Sequence, residues 1–499
     1  MVRSFLSIIF FLAIFLTQGC DVRGANDPFS YTPRKSDSLW QPPAKAEKGL
    51  PARENLKKDR EDDPLLSNNT PISFAEIIDI SLSRNPDTKR SWATARVSAA
   101  EYGQSLRNRF ILADIDSNYS RSRFAEFTGL NRTVIYETHY SGELDFSYTI
   151  LDFGQTRMSS EAARQSLYNA DWSHNSQIQL TIRAVMTDYY DYLYQKKLLL
   201  CREQDVINAT VSLDATEEKF RQGLADVSDI VQAKTSYLSQ KLAVVKQKQT
   251  LHTAYTALVA GMGLPSDQTF HFQDYPGEIV LFKPETVDQL IAKAHNIRPD
   301  LLAAEAAVRS TKAGLTAAKL QKFPTITGEL ELGKKYFRTG VNDHYDFTAQ
   351  INLTFPLLQG FFIDNSIRKA RATLERAEAS LDRVKLDITQ QVSNYRSAIT
   401  HATESIEYAT AYLESAEEDF KVNLKKYRVG TGTIVDLINA QTAVADARAQ
   451  LAQAQNNWYT SIADLAFATG ILFPPKEEKK APYIQLIEQR DGEDEKSRL

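Results

Sequence analysis

Lys219-Phe220-Arg221-Gln222-Gly223 and Lys426-Tyr427-Arg428-Val429-Gly430 are one phrase written twice, 207 residues apart from Gly223 to Gly430. Asp229 meets Asp436 and Ala233 meets Ala440 at the same offset, so the likeness continues past the glycine. Upstream it resumes at a slightly different spacing. Arg84-Asn85-Pro86-Asp87 matches Ile297-Arg298-Pro299-Asp300, and the step from Asp87 to Asp300 is 213. Arg96, Ala100 and Phe110 keep that step with Arg309, Ala313 and Phe323. Self-similarity at a fixed period marks a duplicated supersecondary unit, and the small change of offset places the difference between copies in loops. Both copies close on glycine after a helical run, at Ala260-Gly261-Met262-Gly263-Leu264 and Phe467-Ala468-Thr469-Gly470-Ile471, where a helix commonly stops.

Between these anchors the apolar period is helical. Leu381, Val384, Ile388, Val392, Tyr395 and Ile399 begin a series that runs on to Leu413, Phe420 and Tyr427 in steps of four and three, a near-heptad seam. Tyr192, Leu199, Val206, Leu213 and Phe220 follow the same rule one unit earlier. At 1.5 Å per residue a helix of ~65 residues is on the order of 100 Å long, more than an ordinary globular core requires.

Before each long helix the period changes to two. Tyr140, Gly142, Leu144, Phe146, Tyr148 and Ile150 alternate with polar residues, as do Tyr345, Phe347, Ala349, Ile351, Leu353 and Phe355. Ile326, Gly328, Leu330 and Leu332 give a third strand, and the offset alone locates a fourth near Ala113 to Arg121. Strands of about ten residues with aromatic ends suit a transmembrane barrel whose outer face meets lipid. A soluble two-layer sheet has the same period. Four strands cannot close a barrel alone, so the membrane reading requires several chains, and a trimer with twelve strands fits by ring size.

The N-terminal end points to export. Met1-Val2-Arg3-Ser4 followed by an apolar stretch from Phe5 to Leu16 reads as a secretory signal, too short to span a bilayer. Leu16-Thr17-Gln18-Gly19-Cys20 resembles a bacterial lipoprotein signal with Thr17 where leucine is usual, and makes Cys20 a candidate for lipidation. Asp21 follows it, which in enterobacteria commonly retains a lipoprotein at the inner membrane. The domain reading is a signal peptide (1–19), an extended linker (20–72), a first unit (73–265), an inter-unit linker (266–286), a second unit (287–473) and a flexible tail (474–499). Cys201 lies in a helical region, where a structural disulfide is not expected.

Composition narrows the function. At 42% apolar and 24% charged, with a net charge of −4, the chain has no broad basic surface for nucleic acid. The seven histidines form no metal-ligand spacing, and no phosphate loop or nucleophile elbow is present. Neither enzyme, metal nor cofactor is expected.

The paired Asn-Pro-Asp and Arg-Pro-Asp starts, the strand ends Ile150-Leu151-Asp152-Phe153-Gly154 and Pro356-Leu357-Leu358-Gln359-Gly360, and Tyr427 to Leu437 resemble the TolC family of outer-membrane efflux proteins over about residues 73 to 471. The resemblance implies a mainly α chain with a β-barrel contribution. It would be a homotrimer in which four strands per chain form one outer-membrane barrel and the helices form a periplasmic α-barrel. Its implied partners are a periplasmic adaptor and an inner-membrane transporter, proton-driven or ABC type, and its implied cargo is small molecules, metal ions or polypeptides. A periplasmic helical adaptor or scaffold lipoprotein is the rival class, and it would not require the alternating strands.

The resemblance also assigns roles at the hairpin tips. Asp436 corresponds to an aperture carboxylate, Tyr427 to a side chain that ties neighbouring helices, and Asp229 to their partner in the first unit. Gln222, Gly223 and Leu224, with Val429, Gly430 and Thr431, match the turns that receive the adaptor. Gly432 stands where the better-known gate has arginine, and Asn439 where it has a second aspartate. The salt-bridge lock is therefore not expected, and Lys425, Lys426 or Arg428 could replace it. Asp229 and Asp436 read equally well as helix N-terminal carboxylates.

Overall fold

The computed structural model describes residues 26–41, 71–128, 131–274, 285–337 and 344–472. The signal peptide, Cys20, the linker between 42 and 70 and the tail from 474 to 499 lie outside the described residues. Each unit reads helix, helix, strand pair, long helix, shorter helix. The first contains α1 (Phe74–Arg84), α2 (Pro86–Ser105), β1 (Leu112–Thr128), β2 (Asn131–Leu151), α3 (Gln155–Arg221) and α4 (Val227–Gly261). The second contains α5 (Val287–Ile297), α6 (Pro299–Leu320), β3 (Thr325–Phe337), β4 (His344–Thr354), α7 (Phe362–Val429) and α8 (Ile434–Ala468). The starts of α1 and α5 are 213 apart, and both ends of α4 and α8 are 207 apart.

Local chemistry fixes the starts. Pro86 and Pro299 occupy the first turns of α2 and α6, where the missing N–H costs nothing. Ser73 and Glu76 form a reciprocal capping box at α1, as do Thr433 and Asp436 at α8. The corner from strand to long helix uses left-handed backbone in both units, at Phe153 and Gly154 and again at Gly360 and Phe361.

The strands form one antiparallel sheet in the order β1-β2-β3-β4, joining the two units and leaving β1 and β4 at its edges. Ile115, Tyr119, Phe347, Ile351 and Leu353 are exposed on it. The first hairpin is longer than the alternation predicts. β1 runs 17 residues and β2 21, against 13 and 11 for β3 and β4. Among the described residues β3 meets β2 only up to His139, and residues 131–138 pair there with β1. Their order, Asn-Arg-Thr-Val-Ile-Tyr-Glu-Thr, lacks clean alternation, and the ladder to β1 is what places them in a strand.

The helices supply the rest. α2 and α6 pack along the strand-proximal part of α3, and α6 also packs on α7, while α3 with α4 and α7 with α8 form two hairpins. The largest apolar core sits where the short helices meet the long ones. There Ile77, Ile80 and Leu82 of α1 pack on Ile182, Tyr189 and Leu193 of α3 and Leu258 of α4. Each unit is closed there by one repeated contact. Asn85 donates from Nδ2 to the Gly261 carbonyl at 2.9 Å, and Arg298 donates from Nη1 to the Ala468 carbonyl at 3.1 Å.

Part of the stretch expected to be a free linker is docked. Trp40 is buried, its N–H and C=O both bound by the Asn175 amide at 2.7 and 2.8 Å, and its ring lies edge-on to Trp172. Trp92 donates to the Pro33 carbonyl at 2.8 Å.

Candidate functional site at the hairpin tips

The sequence places every aperture and adaptor residue at the far ends of the two hairpins, and the backbone explains the turns. At the α3–α4 end, Gly223 has φ of +72°. Leu224 N–H reaches the Lys219 carbonyl at 2.8 Å and Gly223 N–H the Phe220 carbonyl at 2.9 Å, the paired bonds of a Schellman stop. At the α7–α8 end, Gly430 has φ of +87°, and Thr431 and Gly430 N–H reach Lys426 and Tyr427 carbonyls at 3.0 and 3.1 Å. Gln222, Gly223, Leu224, Val429, Gly430 and Thr431 are all exposed at these ends.

Gly432 has a packing reason. A Cβ there would lie 3.1 Å from Lys426 Cβ and 3.3 Å from the Tyr427 nitrogen, because the turn folds tightly over the last helical residues. A larger side chain at 432 requires that turn to shift.

Asp436 and Asp229 both sit at the third position of a capping box. Thr433 donates to Asp436 Oδ2 from its hydroxyl at 2.7 Å and from its N–H at 3.2 Å, and Asp436 N–H returns a bond to Thr433 Oγ1. Those bonds, with nearby Lys426, hold the Asp436 carboxyl below the usual range. Asp226 N–H points to Asp229 Oδ2 at 3.4 Å. The Asp436 carboxylate is therefore ionised, exposed and fixed in direction. Asn439 is exposed one turn further along α8.

Tyr427 behaves differently. Only 1% of its surface is exposed, among Ala233, Ile434 and Leu437. Its hydroxyl donates to Thr216 Oγ1 at 3.1 Å. Lys219 Nζ donates to the Tyr427 carbonyl at 2.8 Å and stands 4.1 Å from its ring centroid. Burial pushes the phenol up, the Thr216 bond pulls it down, and the Asp229 charge pushes it up again. So Tyr427, Thr216, Lys219 and Asp229 come together, joining α3, α4 and α7, whereas Asp436 and Asn439 face solvent apart from them.

Thr216 and Lys219 do not stand out in the sequence, where Lys219 is one letter of the repeated phrase. The available signal was the heptad, since Thr216, Lys219 and Phe220 fall on neighbouring faces of one helix end. Of the basic residues expected to replace the lock, Lys426 lies near Asp436 and over the Gly432 turn, while Lys425 and Arg428 are exposed.

A family model described as outer membrane efflux protein matches residues 77–264 and 290–471. Protein CyaE of Bordetella pertussis is 24% identical over 425 residues, covering 83% of this chain and 86% of its own length. Outer membrane protein TolC of Escherichia coli K12 is 23% identical over 418 residues, covering 79% and 84%. The solved structure of the outer-membrane channel OprN superposes with a TM-score of 0.73 at 18% identity, covering 82% of this chain and 90% of that one.

Proposed function

We propose, since the chain belongs to the outer membrane efflux protein family, that it is one protomer of an outer-membrane channel serving a tripartite efflux pump or a type I secretion system. The observation that carries this is the two-edged sheet with apolar side chains exposed, set on helices of 67 and 68 residues. Among the described residues no helix is long and apolar enough to cross a membrane, so the sheet is what meets the bilayer. Unpaired backbone at β1 and β4 is not tolerated in hydrocarbon. Pairing β4 of one chain with β1 of the next removes both edges, and three chains give twelve strands. The rival scaffold reading leaves this apolar sheet without a purpose.

The helical hairpins then form the periplasmic duct, with the tips toward the inner membrane. The turns at Gln222, Gly223 and Leu224 and at Val429, Gly430 and Thr431 receive the adaptor, and an inner-membrane transporter delivers the cargo. Three copies of Asp436 near one axis attract cations, and its capping bonds hold each carboxylate in place for that role. Closure rests on the buried Tyr427, held by Thr216 and Lys219, rather than on a salt bridge at 432 and 439. The test is fractionation and mass. The protein should be recovered from the outer membrane in detergent at about three times its 56.2 kDa. A soluble monomer in the periplasmic fraction overturns the reading.

A further inference from the structure

Within one chain α3 packs on α8, and each has a duplicate in register, α7 for α3 and α4 for α8. The packing order runs α4–α3–α8–α7, so the duplicates are the two outer helices. Burial shows what they lack. Ile434, Gln441, Ala445 and Ala452 of α8 are buried, but their counterparts 207 residues earlier, Val227, Lys234, Leu238 and Val245, are exposed, the apolar three at 58, 53 and 65%. Leu198, Asp205 and Ser212 of α3 are buried at heptad spacing, whereas Ser405, Tyr412 and Asp419 of α7 are exposed. Heptad faces with valine and leucine in water are faces whose partner helix lies elsewhere.

Polar rungs cross the covered seam. Ser212 donates to Gln441 Oε1 at 3.1 Å, Arg448 Nη1 to Asp205 Oδ1 at 3.3 Å, and Lys197 Nζ to Gln455 Oε1. Carried forward by 207, Ser212, Asp205 and Lys197 become Asp419, Tyr412 and Glu404. Carried back, Gln441, Arg448 and Gln455 become Lys234, Lys241 and Lys248. Every rung position on α4 is thus a lysine, and every rung position on α7 is a carboxylate or a phenol. Lys234 and Lys248 have no ion pair among the described residues. Lys241 lies over the Tyr237 ring of its own helix. Glu404 is 3.5 Å from His401 Nδ1, and Asp419 accepts from the Asn423 amide, neither of which supplies a permanent positive charge.

Resting on the oligomer proposed above, we infer that α7 of each protomer docks on α4 of the next through a charged ladder. Asp419 pairs with Lys234 of the partner subunit, Tyr412 with Lys241 of the partner subunit, and Glu404 with Lys248 of the partner subunit. The same α3–α8 seam is thereby written twice around the ring, once within the chain with a single ion pair, Arg448–Asp205, among its rungs and once between chains with lysine at every rung on one side. Such a head-to-tail contact closes into a ring, and its opposite charges select orientation and register. Being at a surface seam, the ladder weakens as salt screens it.

The test is charge reversal followed by charge exchange, read by mass in detergent. Glu404→Lys with Asp419→Lys should lower the trimer-to-monomer ratio at least tenfold at about 0.15 M salt, where the Debye length is about 8 Å. Lys234→Glu with Lys248→Glu should do the same. All four substitutions in one chain should restore the wild-type ratio. In the wild type, carbodiimide should link the peptide holding Asp419 to the one holding Lys234 between chains. If the wild type is itself monomeric, the oligomer reading fails first. If it is trimeric and the one-sided variants remain trimeric, or the exchange does not restore them, only the ladder is overturned.

Discussion

Where the short helices meet the long ones, Asn85 and Arg298 each hold the last turn of their own unit, with Gly263 and Gly470 pressed against them. At the opposite end of the same hairpins, Asp229 and Asp436 spend their side-chain hydrogen bonds on the helix starts to which they belong, and the turns stand in solvent. One duplicated sequence thus builds a closed core at one level and an open rim at the other. The difference is one of burial. Arg298 is 3% exposed, bonded to Asp300 at 2.6 and 3.0 Å, to Gln391 at 2.8 Å and to the Ala468 carbonyl, so its loss leaves several groups unpaired. Asp436 leaves behind only groups that water can satisfy. The rim is therefore the part that can rearrange without unfolding the chain.

The sharpest way to break this contrast is Arg298→Ala, expected to cost about 3–5 kcal/mol as a broken buried pair and to lower the thermal midpoint in detergent more than any tip substitution. A midpoint unchanged by Arg298→Ala would remove the distinction between core and rim.

Second comes a pH test above the core, where α3 buries Asp171 and His174 completely. Burial raises the Asp171 carboxyl to about 9 and lowers the His174 imidazole to about 4. Around pH 7 both are neutral in the folded chain. Asp171 binds its proton more tightly folded than unfolded, so it favours folding at low pH, and that advantage is lost as pH rises toward about 9. His174 acts in the opposite sense, stability falling as pH drops from about 6.5 toward about 4. Of the two, Asp171 alone acts between pH 6.5 and 9, by about 3 kcal/mol at 1.36 kcal/mol per unit. Asp171→Asn should flatten the alkaline loss in a thermal scan, while Asp436→Asn should leave it in place.

Gly263→Ala follows, at about 1–3 kcal/mol, because the φ of +72° disfavours any side chain and a Cβ would lie 2.8 Å from the Arg84 carbonyl carbon. The expected reading is a lower midpoint with the oligomer intact. At the rim, Tyr427→Phe should cost about 1 kcal/mol for its hydroxyl bond to Thr216 and raise the open fraction of single-channel records. Asp436→Ala should have the smallest stability effect, because the cap bonds it loses are exposed to water. It should nevertheless weaken block by multivalent cations, and unchanged block would place the constriction elsewhere.

These regions also differ in how far the sequence reveals them. The offsets of 213 and 207 predict the helix starts because repetition survives wherever two copies solve the same packing problem. Alternation finds three strands, yet it stops at Tyr140 while β2 begins at Asn131, since backbone pairing to β1 can continue through residues whose apolar positions do not alternate. The Trp40 strap was invisible because its partner Asn175 is 135 residues away and one tryptophan among prolines carries no pattern. At the tips the motif singles out Tyr427, but its bonds come from Thr216 and Lys219 of the other unit. Only the folded arrangement of the two hairpins brings those together.

As a protomer of an outer-membrane channel, this chain should conduct in a planar bilayer. Detergent-purified mature protein added to one side should insert and give stepwise single-channel currents, with multivalent cations blocking from the side that the tips face. A protein that remains a soluble monomer without detergent and leaves the bilayer silent would contradict it.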